Sequence, residues 1–538
     1  MRKLSCVLVL LFVSPWNSGA ADLQNSTRKP PQLVVVVIID QFRYDYLTRF
    51  RDEYTDGFDR LLKTGAVFTN AYLQHFPSVT AVGHSTILTG ATPSFSGIVG
   101  NDWFERESGR SVTSILDSKV TLLGGKGTGA SPSRLLVSSI GDELKIAARG
   151  GTPRVIGISL KDRAAIFPAG RMADAAYWFD STNGNMVSST YYFPDVPAWV
   201  KEFNTKRAVD GFPGAEWKSA AGKVLATLPT QTGSKYYDAL ERSPYGTQFL
   251  LSFAERAIEA EALGARSATD LIAVSLSSTD LVGHSFGPDS PEIHDLNLQT
   301  DRQLGQFLQF LDKRLRPGSV LVVLTADHGV APLPEVQTAR KMPGGRIVES
   351  TLRKAVESAL VARFGEGQWI SSAAYGAFWL NRATIREKKL DQSALEECAA
   401  QALAEQPHVY RVYTRTQLLA GRYGNDLVGA SVANGFYPSR AGDVITILEP
   451  YWIYGAKDAS HGTPFGYDTH LPLIFAGAGV KRGVYDGTVA INDIAPTLAT
   501  ILGIETPSGS TGRVLNEMLE AAAIVTVPAP APAAAAKK

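Results

Sequence analysis

Five short apolar runs, rich in β-branched residues, constrain the fold of this chain more than any other feature: Leu33 to Ile39, Arg154 to Ser159, Leu271 to Ser275, Val320 to Thr325 and Leu471 to Phe475. Runs of this length without polar alternation read as strands buried on both faces, the habit of a parallel sheet. Helical patterns alternate with them. The clearest is Leu304, Phe307, Leu308, Leu311 and Leu315, which recur on one helical face. The expected class is α/β, with a mostly parallel central sheet flanked by helices.

The ends of the chain read differently. Arg2 and Lys3 precede an apolar stretch from Leu4 to Val13 and the small residues Ser18, Gly19 and Ala20, the pattern of a secretory signal peptide over residues 1–20. That stretch is far short of the roughly 20 residues a membrane-spanning helix needs, and no later segment resembles one, so no stable membrane insertion is expected. Residues 521–538 are Ala/Pro-rich and are expected to form a disordered tail. Residues 21–520 are expected to be one catalytic domain. The irregular, Gly-, Pro- and aromatic-rich stretches at about 168–249 and 332–441 look like cap or lid insertions.

Of two cysteines, Cys6 lies in the segment expected to be removed, which leaves Cys398 without an intramolecular partner. An exported chain without disulfides suits a bacterial periplasm or the secreted space, where a large core replaces covalent staples. Lysines and arginines number 53 against 52 acidic residues, and loss of Arg2 and Lys3 leaves 51 against 52. That balance argues against bulk electrostatic binding of nucleic acid or membrane. The chain is expected to be monomeric and to act on a small molecule.

Open α/β sheets bind ligands beyond the carboxyl ends of their strands. Four of the five runs lead there into polar residues: Asp40; Lys161 and Arg163; Asp280; Asp327 and His328. Asp280 and His284 are four residues apart and share a helical face, which suits two ligands of one metal. His461 precedes the last run. Mixed carboxylate and imidazole ligands favour zinc over calcium or magnesium. Taken singly, each such residue is more often a cap or a bonded core group, and only their coincidence at one rim argues for a site.

A helix is predicted to start near Thr80 and stop at Gly90, a residue suited to a left-handed helix end. A hydroxyl at its start faces the positive end of the helix dipole, where an alkoxide and a phosphate are both favoured. Ser78 or Thr80 could equally serve as a simple N-cap, and local sequence leaves open which hydroxyl reacts. Gly124 to Gly129 lacks the flanking strand and helix of a phosphate loop and reads as a turn. His75, His294 and His408 match no ligand pattern, and His84 reads as packing or as support for the nucleophile.

With these residues assembled, the chain resembles the alkaline phosphatase superfamily, most closely its PafA-like phosphate monoesterase branch. The resemblance runs from Asp40 to Asn492-Asp493-Ile494-Ala495-Pro496-Thr497 and rests on four motifs: Gly100-Asn101-Asp102-Trp103, Ser159-Leu160-Lys161-Asp162-Arg163, Ser278-Thr279-Asp280-Leu281-Val282-Gly283-His284 and Ala326-Asp327-His328-Gly329. It implies a two-zinc site: one ion on Asp280, His284 and His461, the other on Asp40, Asp327, His328 and the Thr80 oxygen, with His461 matching better than His470. It makes Thr80 the nucleophile, through a covalent phosphothreonine, and sets Asn101, Lys161 and Arg163 on the nonbridging phosphate oxygens. Two cations beside the metals suit a monoester dianion better than a diester. A surface or interdomain ion pair is the plain alternative for Lys161 and Arg163.

The implied activity is that of an alkaline phosphatase releasing inorganic phosphate from monoesters. Within enzymes the alternative is a nucleotide pyrophosphatase/phosphodiesterase with the same metal ligands. A sulfatase is disfavoured, since no Cys- or Ser-x-Pro-x-Arg signature surrounds Thr80. From another class, a non-catalytic exported binding protein would keep the fold but lose a ligand or the nucleophile.

Overall fold

The structure is a computed structural model that describes residues 30–148 and 151–520. The predicted signal peptide (1–20) and the Ala/Pro-rich tail (521–538) lie outside the described residues.

The apolar runs form the heart of a twelve-stranded sheet. Its central strands are β1 (Leu33–Ile39), β2 (Ala66–Tyr72), β3 (Val155–Ser159), β4 (Ala175–Asp180), β5 (Asp270–Leu276), β6 (Val320–Thr325) and β7 (His470–Gly477). In space they follow the order β2-β7-β6-β1-β5-β3-β4. From β6 to β4 every pairing is parallel. Every residue of β1 and β5 is buried, which explains their continuous apolar sequence. Helix Pro291–Arg314 covers the sheet through Leu304, Phe307, Leu308 and Leu311, all buried, and Leu315 caps it.

One run departs from expectation. β7, read as a parallel strand, pairs antiparallel with both β6 and β2, so the whole sheet is mixed. A buried antiparallel strand between two others is apolar on both faces, and apolarity alone carries no direction. The reversal has a use: β7 begins at the rim where its parallel neighbours end, so residues just before it reach the same place as residues just after them.

Register sets that rim. Ile38 is level with Ser275 and Thr325, and Ser275 with Ser159. Two residues further along each strand stand Asp40, Ser277, Asp327 and Lys161, so four distant segments leave the sheet at one height.

Between 168 and 249, strands β4 and Asn185–Ser189 extend the central sheet. The stretch after 332 builds a separate four-stranded antiparallel sheet from Ile370–Ala374, Ala377–Leu380, Val409–Thr414 and Val444–Leu448. Helices Glu349–Phe364 and Gln392–Ala404 give this unit its own core around Leu352, Val356, Leu395 and Leu403. Cys398 is buried there as a free thiol. Gly124 to Gly127 links two strands of a hairpin.

Candidate active site

The predicted helix spans Thr80–Thr89, called α1, and ends at Gly90 with φ 67°. Its N-cap is Val79, so neither Ser78 nor Thr80 caps it; Ser78 Oγ donates instead to the Thr463 carbonyl, 2.8 Å. Thr80 is the first helical residue, 2 % exposed, with Oγ1 3.4 Å from His328 Nε2. The next backbone N–H, of Ala81, donates to Asn101 Oδ1 at 2.8 Å. That bond fixes the Asn101 amide beside Thr80 without consuming its own N–H donors. His84, one turn on, lies with Nδ1 2.9 Å from the Thr80 carbonyl and Nε2 2.8 Å from Ser275 Oγ, which ties α1 to β5. Gly83 packs against the Asp327 backbone, where a Cβ would sit 2.1 Å from the carbonyl oxygen.

Asp40, Asp280, Asp327 and His328 are all buried. Asp327 Oδ1 accepts from the backbone N–H groups of Gln41 (3.1 Å) and His328 (2.9 Å). Its Oδ2 faces imidazole nitrogens only, His84 Nδ1 at 3.0 Å and His328 Nε2 at 3.3 Å. Asp40 Oδ1 has no hydrogen-bond donor and lies 3.6 Å from His328 Nε2. Asp280 Oδ1 lies 3.2 Å from His284 Nε2 and 3.8 Å from His461 Nε2.

Three histidines share one arrangement. Nδ1 meets a backbone carbonyl in each: Gly329 for His328 (2.9 Å), Ala459 for His284 (2.6 Å) and Ser78 for His461 (2.9 Å). A carbonyl can only accept, so Nδ1 carries the proton and the Nε2 lone pair turns toward the carboxylates. Histidines that hold metals are oriented in this way. His470 is not among them: it stacks between Tyr44 and Tyr72 and bonds Thr69 O through Nε2. Among the described residues the side chains fall into three overlapping groups with ligand spacing, Asp280 with His284 and His461, Asp40 with His84 and Asp327, and Asp40 with Asp280 and His328; His328 also lies beside Asp327 and the Thr80 hydroxyl.

Charge supports the same reading. Three buried carboxylates face one ammonium, Lys161, whose Nζ lies 2.7 Å from Asp40 Oδ2 and 2.5 Å from Asp280 Oδ2. Burial, then the charge of Asp327, pushes the Asp40 carboxyl well above its usual range. Burial also opposes ionisation of Asp280, yet Lys161 and His284 hold it well below. Burial and the neighbouring His328 and His284 keep His461 neutral. An excess of buried negative charge, an orphaned carboxylate oxygen and several aligned Nε2 atoms fit divalent cations.

Of the predicted phosphate contacts Asn101 is tied beside Thr80 through the Ala81 N–H, and the three residues line two cavities. Asn101 lines one of about 250 Å³ with His284 and His461, and Lys161 and Arg163 line another of about 440 Å³. Burial pushes the carboxyl of Asp102, next to Asn101, above its usual range, and the Arg163 charge partly opposes that push. His75 is buried against Pro77 O, whereas His294 and His408 pair with Glu53 and Glu449 away from the site.

Sequence reading passed over Gln41. Its Nε2 donates to Asp280 Oδ1 at 2.7 Å and its backbone adopts φ 65°. The signal was indirect: Gly283, between Asp280 and His284, leaves room for it, since a Cβ there would meet Gln41 Oε1 at 1.9 Å. Asp468 was passed over too. It accepts from Thr463 N and Oγ1, at 2.8 and 2.7 Å, and so holds the loop that carries His461.

Residues 34–470 match the family of type I phosphodiesterases and nucleotide pyrophosphatases. The chain is 34% identical to alkaline phosphatase PafA of Elizabethkingia meningoseptica over 93% of its own length and 97% of the relative's. It is 35% identical to alkaline phosphatase PhoV of Synechococcus elongatus, over 96% of this chain and 100% of the other. A crystal structure of wild-type PafA superposes with a TM-score of 0.84, covering 92% of this chain and 100% of that one at 34% identity. A second PafA structure, with equal TM-score, carries changes at one threonine, one asparagine, one lysine and one arginine.

Proposed function

The chain belongs to the type I phosphodiesterase and nucleotide pyrophosphatase family of the alkaline phosphatase superfamily, and from that premise we propose a metal-dependent alkaline phosphatase that cleaves phosphate monoesters through Thr80. Two relatives matched over almost their full length, PafA and PhoV, are named alkaline phosphatases, which makes this chain a phosphoric monoester hydrolase. The observation that carries the mechanism is the cluster itself: a hydroxyl at the start of a buried helix, 3.4 Å from His328, among three buried carboxylates.

Asp280, His284 and His461 would hold one zinc ion, and Asp40, Asp327, His328 and the Thr80 oxygen the other. When bound, such a pair offsets phosphate charge, lowers the pKa of the Thr80 hydroxyl and eases departure of the alkoxide. The chain's own groups do the rest. Thr80 Oγ1 attacks phosphorus in line, the ester oxygen leaves, and the phosphoryl group rests on Thr80 at the positive end of α1. Water then cleaves the phosphothreonine and releases inorganic phosphate. Asn101, locked through Ala81, offers its amide N–H groups to one nonbridging oxygen, and Lys161 and Arg163 bring cationic donors to the others.

The altered threonine, asparagine, lysine and arginine of the second PafA structure support these assignments. There the threonine and asparagine, and the lysine and arginine, have the same separations along the chain as Thr80 from Asn101 and Lys161 from Arg163. Among the described residues no helix is long and apolar enough to cross a membrane. The basic and then apolar N-terminal segment supports export to a bacterial periplasm or secretion.

Parallel assays of p-nitrophenyl phosphate and bis-p-nitrophenyl phosphate with zinc test the reading. Preference for the monoester is expected. Preference for the bis-ester would instead favour a phosphodiesterase, and a zinc-supplied fold with no turnover of either would favour a binding protein.

A further inference from the structure

Gln41, in the turn after β1, touches both proposed ion sites. It follows Asp40, and its backbone N–H donates to Asp327 Oδ1 at 3.1 Å, so its main chain belongs to the site of those two acids. Its side chain reaches the other site, where Nε2 donates to Asp280 Oδ1 at 2.7 Å. Lys161 keeps Asp280 ionised, and a carboxylate only accepts, so the N–H side of the amide must face it.

Two further observations point to a use for that amide. Gln41 is 1 % exposed and has φ 65°, a left-handed conformation that favours glycine. Glycine there would relieve the backbone but would lose the contact with Asp280. Strain of this kind persists where surrounding bonds hold a residue in place, and it gathers at functional sites. Across from it, helix Ser278–Phe286 carries Asp280 and His284 with Gly283 between them. A Cβ at Gly283 would lie 1.9 Å from Gln41 Oε1, so the helix that supplies two ligands is cut away where Gln41 enters.

The oxygen that Gln41 holds is the one turned to the imidazoles. Asp280 Oδ1 lies 3.2 Å from His284 Nε2 and 3.8 Å from His461 Nε2, while Lys161 Nζ holds Oδ2 at 2.5 Å. Both imidazoles present lone pairs, so the Gln41 amide is the donor that Oδ1 has. One N–H occupies one lone pair of that oxygen and leaves the other for an ion shared with two histidines. Without it, the carboxylate would be held at Oδ2 alone.

We propose that Gln41 is a positioning residue for the ion of Asp280, His284 and His461: its amide fixes Asp280 Oδ1 and thereby sets the affinity of that site, whereas the second site draws only on its backbone N–H. The assignment rests on the metal-dependent reading and adds to it a residue that acts through a ligand.

Metal-free protein equilibrated in zinc buffers of rising free concentration should take up two ions, and the step lost in His284→Ala marks the site of Asp280. Gln41→Gly, which relaxes the backbone, and Gln41→Met, which keeps the length of the side chain without its N–H, should each move that step to about ten- to a hundredfold higher free zinc. The other step should stay where it is, which also reports an intact fold. A marked step that does not move in Gln41→Gly, or two steps that move alike, overturns the assignment. Gln41→Met binding as tightly as the natural chain while Gln41→Gly does not would overturn the role of the amide and leave one of volume. A natural chain that takes up no zinc would instead overturn the metal-dependent reading beneath it.

Discussion

The Lys161 ammonium joins carboxylates from two strand ends, 2.7 Å from Asp40 Oδ2 and 2.5 Å from Asp280 Oδ2. It is what allows these acids to remain close together, and cations held by the same oxygens would free its charge for a phosphate. Arg163 stands two residues on, beside the same cavity.

Replacing Lys161 and Arg163 together by Ala should therefore injure monoester hydrolysis most, by on the order of 3 kcal/mol in kcat/KM. The same variant should lose much less on bis-p-nitrophenyl phosphate, which carries one negative charge fewer. Equal losses on the two substrates would mean that the pair serves only to hold the carboxylates.

Removing metal should cost both activity and stability. Elemental analysis of the zinc-supplied protein is expected to find two ions per chain. Chelation should lower the melting temperature by the equivalent of about 5 to 8 kcal/mol for the two ions together where free zinc had stood a hundred- to a thousandfold above its Kd at each site. Zinc should restore both. A protein that melts unchanged after complete chelation would deny that Asp40, Asp280 and Asp327 need cations.

Two glycines near the site should respond differently to alanine. At Gly83 the new methyl meets the Asp327 backbone, which cannot step aside, so Gly83→Ala should cost roughly 1–3 kcal/mol and push Thr80 away from His328. At Gly283 it meets the end of Gln41, which can swing away and surrender its bond to Asp280. Gly283→Ala should thus lose less stability than Gly83→Ala in urea unfolding; the reverse order would contradict the packing described.

Stability should also depend on pH through Glu241, whose carboxyl burial pushes up to about 7. A raised acid pKa means that the fold retains a proton which the unfolded chain gives up. The benefit is complete below the ordinary carboxyl range and fades as pH climbs through about 7. Glu241→Gln should escape that decline and gain on the natural protein by up to about 3 kcal/mol between pH 5 and 8. Melting curves that run parallel across that range would exclude the effect.

Much of this is legible in the sequence. Continuous apolar runs located β1, β5 and β6, and the polar residues that follow them, Asp40, Asp280, Asp327 and Lys161, lie together because the strands are in register. The direction of β7 was hidden, because an apolar strand looks alike from either end. Local sequence could not choose between Ser78 and Thr80; geometry sends Ser78 Oγ to Thr463 O and leaves Thr80 beside His328. Gln41 and His84 act through bonds to residues 239 and 191 positions away, and no local pattern announces such partners. The cavity that Asn101 shares with His284 and His461 takes part of its lining from residues beyond 370, so its walls exist only once that stretch is folded against the rim.

The most direct test of the account is to identify the phosphorylated residue. Enzyme mixed with a monoester and quenched in acid should carry one phosphoryl group on the peptide that contains Thr80, located on that side chain by fragmentation. The label should disappear in Thr80→Ala together with turnover. Phosphate found on Ser78, or Thr80→Ala turning over at the natural rate, would contradict it.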